Sequence, residues 1–179
     1  VLAKQAAEKD LASLKQTFIS SLILVFTLAV PATAGLMMLA EPIIRLIFEH
    51  GAFTASDTLQ TADALSYYAI GLFAYSAIKV MVPVFFAIGN TRYPVIGSFL
   101  GVAVHILTIT LVIDTLQHRG IAPSTSCAMI LHFFFLSVVL YRKLGGYPLG
   151  YLLRGLGKIV VACVLMCGAI VLVQQPLAA

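Results

Sequence analysis

The sequence predicts an all-α fold, a polytopic membrane helix bundle of about five transmembrane helices and one short interfacial helix. Three observations carry that expectation. Hydrophobic residues make up 61% of the chain and charged residues only 10%, where a soluble domain carries roughly 25% charged. Apolar runs close to the length of about 20 residues that crosses a bilayer recur along the chain. The basic residues are distributed unevenly among the connections between those runs.

The first run, residues 17–40, carries no charge. Pro31 lacks an N–H and leaves the Thr27 carbonyl unpaired, with Gly35 following, so a kink or break is expected there. In residues 41–50, Ile43, Ile44, Ile47 and Phe48 alternate with Arg45 and Glu49, the pattern of an amphipathic helix lying in the membrane interface. Thr54, Ser56 and Asp57 supply capping residues ahead of the second run, 64–89. "NTRY" leads into the third run, 94–113, and "DTLQHRG" into the fourth, 121–141. Glycines and a proline in "RKLGGYPLGYLLRG" end the fourth run. The fifth, 156–173, is the weakest because Lys158 trims its start.

Alternating the runs across a bilayer places Lys4, Lys9, Lys15, Arg92, Arg142, Lys143, Arg154 and Lys158 on one side. The other side holds Arg45 and Arg119 with the acids Glu41, Glu49, Asp57, Asp63 and Asp114. The positive-inside rule makes the N-terminal segment cytoplasmic and turns residues 41–63 outward. The chain starts without Met, has no signal-peptide layout and holds an odd number of spans, so it reads as part of something longer.

Lys79 is the residue that composition does not explain. It lies about 15 Å from one edge of its run at 1.5 Å per residue. A lysine at such a depth costs roughly 2.5–3.5 kcal/mol to insert. On a helical wheel Tyr68, Tyr75 and Lys79 fall within about 40° of each other, forming one polar stripe. Pro83 frees the Lys79 carbonyl, which in a bilayer must find another donor or water. The favoured reading is a cation lining a cavity that binds an anionic group, with Lys79, Tyr75 and Tyr68 as the substrate-binding candidates. The alternative is a buried ion pair with a carboxylate from another helix, and no run here contains one.

Other features are more ordinary. Gly97 and Gly101 form "GSFLG", which lets a second helix approach closely. His105 and Thr108 fall near that face, and Thr125 shares a face with His132. Two histidines at membrane depth suit a proton relay or an ion, but neutral histidines hydrogen-bonded between helices are the favoured account. Cys127, Cys163 and Cys167 lack the partners of a zinc site and read as small packing residues. No nucleophile–base set, phosphate loop, metal site or cofactor motif is present, and no basic run with interleaved aromatics suggests nucleic acid. An enzyme is not expected.

Several pieces in this order resemble the later half of the MurJ (MviN) family of lipid II flippases: "PATAGL" at 31–36, "EPIIRLIFEHGAFT" at 41–54, "TADALSYYAIGL" at 61–72, the Lys79 segment, and "GNTRYP" at 89–94, where the family often has Gly-Asp-Thr-x-x-Pro. The resemblance implies that residues 1–179 are a partial C-terminal lobe of a two-lobe transporter. That machine flips lipid II, an undecaprenyl-pyrophosphate-linked peptidoglycan precursor, across the bacterial inner membrane by alternating access. Its partners would be lipid II, membrane lipids and the missing N-terminal lobe. Lys79 matches the lysine of the family's tenth helix, facing the cavity near the cargo's anionic groups. His105 and His132 fall where relatives commonly have asparagine. Ile109 stands one turn after His105, so the sodium site of some members, which uses an acid there, is not implied. Two other readings remain: a polysaccharide-precursor or multidrug exporter of the same superfamily, and a non-transporting membrane scaffold. A drug exporter would be expected to show acids inside its spans, and a scaffold gives no reason for Lys79.

Overall fold

The computed structural model describes residues 10–116 and 121–174, with side chains described for 10–111 and 121–172. It holds six helices: α1 (Leu11–Met38), α2 (Ala40–Phe48), α3 (Ala55–Ala87), α4 (Arg92–Leu116), α5 (Ile121–Lys143) and α6 (Leu149–Gln174). All but α2 are long and apolar enough to cross a membrane. Lys4, Lys9 and Arg119, and the side chain of Asp114, lie outside the described residues.

The helices form a row. α3 and α5 make the central pair, α1 packs on the far side of α3, α6 on α1, and α4 on α5. The main core joins Leu14, Phe18 and Leu22 of α1 to Met81, Val84 and Phe85 of α3 and to Leu136 and Leu140 of α5. Phe26, Phe73 and Phe133 extend it, with ring centroids 5.9–6.4 Å apart. These positions recur at three- and four-residue intervals, so each helix offers one continuous stripe to its neighbours.

The central pair crosses at small residues. A Cβ added at Gly71 would lie 2.8 Å from the Ser126 hydroxyl oxygen and 3.1 Å from Ser126 Cα. The Ser126 hydroxyl donates to the Tyr67 carbonyl at 2.6 Å. Between membrane helices, where no hydrophobic drive favours protein over lipid, such close approach and interhelical bonding hold the pair.

The two ends differ in charge, and each is tied by its own contacts. At the acidic end, Thr54 caps α3 in a reciprocal box with Asp57. Arg45 bridges Glu41 at 2.8 Å and Glu49 at 3.3 Å, and Glu49 accepts from the Thr58 hydroxyl at 2.8 Å. At the basic end, Asp10 caps α1 by accepting from the Ser13 N–H at 3.0 Å; hydrogen bonding from the Ser13 side chain, then from its backbone, holds the Asp10 carboxyl below the usual range. Gly145 and Gly146 turn the chain between α5 and α6 at φ 65° and 86°, a region open to glycine at no steric cost. That turn sets Tyr147 against Phe18 at 5.6 Å and Tyr141 at 5.1 Å. Burial there pushes the Tyr147 phenol up from its ordinary pKa.

Two expectations change, at Pro31 and at Cys127. α1 runs unbroken through Pro31, which removes one N–H from the helical ladder. α2 keeps its amphipathic pattern: Ala40 and Ile44 pack with Ala62 and Leu65 of α3, while Leu46, Ile47 and Phe48 stay exposed. Cys127 is exposed rather than packed between helices.

Candidate functional site

Lys79 follows directly after Ala77 and Ile78, both of which point into the core. One residue is 100° of helix, so Lys79 emerges on the open side of α3. It lines a groove of about 420 Å³ between α1 and α3, with Ala29, Ala32 and Tyr75. Its ammonium sits 5.0 Å from the Tyr75 ring centroid, a cation–π geometry. Among the described residues no carboxylate lies within 4 Å of it, so the ion-pair alternative finds no partner here. Tyr68 and Tyr75 are each 46% exposed. Tyr75 therefore touches the cation. Tyr68 stands about 16 Å along the axis from Lys79 on the same face, eleven residues away.

A second cavity lies on the other side of Tyr75. It is a half-open hollow of about 360 Å³ between α3, α4 and α5, and its polar lining is Tyr75, Ser98, His105, Thr125 and His132. His105 Nδ1 and His132 Nε2 are buried without a hydrogen-bond partner. The expected interhelical hydrogen bonds of these two nitrogens are thus not made. Gly97 explains the proximity of His132: a Cβ there would come within 2.5 Å of His132 Nε2. Sequence reasoning singles out both histidines but not the cavity that joins them. A signal is present: Ser98, Gly101 and His105 repeat the i, i+3, i+7 spacing of Thr125, Ala128 and His132. Among the described residues no group of three metal-ligating side chains forms.

A row of membrane-length helices with Lys79 unpaired among the described residues on an open face of α3 defines the class: a segment of a polytopic membrane protein with a cationic groove. Comparison with known proteins narrows it. A family profile described as "Lipid II flippase MurJ" matches residues 1–178, and the chain belongs to that family. The chain is 34% identical over 127 residues to a probable lipid II flippase MurJ of Rickettsia prowazekii, covering 71% of this chain and 25% of that protein. With the Synechocystis protein of the same description it shares 31% over 160 residues, 89% of this chain and 30% of that one. A solved structure, "Lipid II flippase MurJ, inward closed conformation", matches 96% of this chain and 35% of its own, with TM-score 0.81 and 27% identity. The chain therefore spans a quarter to a third of the proteins it matches.

Proposed function

We propose that this chain forms part of a flippase that carries lipid II across the bacterial inner membrane by alternating access, with Lys79 facing the cargo's anionic groups. One observation carries the assignment of the residue. Lys79 is a mid-helix ammonium turned out of the core, stacked on Tyr75 and without a carboxylate among the described residues. In a bilayer a lone charge so placed persists only against water, ligand or another protein surface. The side groove is shallow by itself, and a facing lobe would complete it into a cavity. Family membership favours lipid II as cargo over other lipid-linked sugars. The N-terminal segment is assigned to the cytoplasm and residues 41–63 to the periplasm, from the basic residues gathered at one end.

The test uses the full-length protein. Lys79→Ala should abolish lipid II translocation and growth by complementation while membrane abundance stays at wild-type level. Lys79→Arg should keep part of the activity, because the charge is retained but the fit over Tyr75 changes. If Lys79→Ala transports normally, the cation has no role in cargo handling, as a scaffold reading requires.

A further inference from the structure

We propose that the trough between α1 and α6 binds an anionic glycerophospholipid, its phosphate held by Arg154 and Lys158 and one acyl chain laid along the trough. The trough encloses about 1030 Å³ and is lined by Ile23 and Thr27 of α1 and by Tyr151, Arg154, Lys158 and Leu165 of α6, among others. Arg154 and Lys158 are one turn apart and both exposed. Neither has a carboxylate within 4 Å among the described residues. Like charges at i, i+4 repel each other. An anion between them removes that repulsion, and the planar guanidinium can grip two phosphate oxygens at once while the ammonium supplies a point charge. Tyr151, one turn before Arg154, places a phenol at the level where amphipathic rings sit in membrane interfaces.

The dimensions fit one leaflet. From Arg154 to Leu165 is eleven residues, about 16 Å of helix, against about 15 Å for half of the hydrocarbon core. The side chains below the two cations, Ile159, Val161, Ala162 and Leu165, offer no charge. The floor is shaped by glycine. At Gly155 an added Cβ would sit 3.1 Å from Ile23 Cδ1, so the helices meet closely there; at Gly157 it would meet nothing, which leaves width beside Lys158. The trough is separate from the cargo groove. Ile23 and Thr27 face it from one side of α1, while Val25, Ala29 and Ala32 line the Lys79 groove from roughly the opposite side.

Native mass spectrometry of the delipidated full-length protein tests the site. It would be titrated separately with phosphatidylglycerol, phosphatidylcholine and undecaprenyl phosphate. Phosphatidylglycerol should be retained in preference to phosphatidylcholine, and Arg154→Gln/Lys158→Gln should weaken its retention about thirtyfold, the combined share of two basic residues at an anionic lipid surface. Leu165→Trp, which blocks the trough without changing charge, should also weaken retention while the protein still elutes as a single folded species. Unchanged retention in either variant overturns the proposal. So does a preference for undecaprenyl phosphate over phosphatidylglycerol, which would make the trough part of the cargo path. A photo-crosslink from position 165 to another segment of the protein, in place of lipid, also overturns it.

Discussion

Gly71→Ala should loosen the crossing on which the position of Lys79 depends. The new methyl would lie 2.8 Å from the Ser126 hydroxyl oxygen, 3.2 Å from Ser126 Cβ and 3.1 Å from its Cα. The hydroxyl could rotate away, but a backbone carbon cannot, so α3 and α5 must separate by several tenths of an ångström. Overpacking of this kind costs about 1–3 kcal/mol. Separation also stretches the Ser126–Tyr67 hydrogen bond, now 2.6 Å, and such interhelical bonds contribute about 0.6 kcal/mol in membranes. The assay is thermal unfolding of the detergent-purified full-length protein, where the midpoint should fall by several degrees. Ser126→Gly removes two of the three close atoms and leaves only the backbone carbon near the new methyl. The double variant should therefore recover part of the loss, with a coupling of at least about 0.5 kcal/mol. A Gly71→Ala protein as stable as wild type, or single effects that simply add, would refute the close crossing.

Two further outcomes follow from local geometry. Gly97→Ala meets the edge of the His132 ring, which can swing, so it should cost about 1 kcal/mol, at the low end for overpacking. Combining it with His132→Ala should abolish that cost, read from the same unfolding midpoints. Thr54→Ala removes the α3 cap and should destabilise the first turn by about 1 kcal/mol; hydrogen exchange should quicken in peptides covering residues 55–58 while those covering 74–85 stay protected.

The membrane-length helices are legible in the sequence because a bilayer imposes a length and composition that no other environment requires. Their starts are less so. α3 begins at Ala55, well before the apolar run at residue 64, since Ser56, Asp57 and Gln60 are polar yet helical beyond the Thr54 cap. The amphipathic pattern of α2 is plain in the sequence, but its setting is not. An apolar stripe looks the same whether it meets lipid or, as Ile44 does, another helix. Pro31 does not interrupt α1, since one missing N–H leaves the rest of the helical ladder in place. Lys79 is visible as a charge near the middle of an apolar run. The histidine cavity is not, because His105 and His132 sit on different helices and their meeting depends on the α4–α5 pairing made at Gly97 and Gly101.

Tyr75 forms a wall common to both hollows, with the lysine groove on one side and the chamber of His105 and His132 on the other. One aromatic ring thus serves as a party wall between compartments that open on different faces of the protein. Substitutions at Thr125 or Ser98, which never meet the ammonium, can still disturb it by letting that ring turn. Alleles that disable Lys79 from a distance should accordingly map to the chamber side of this partition.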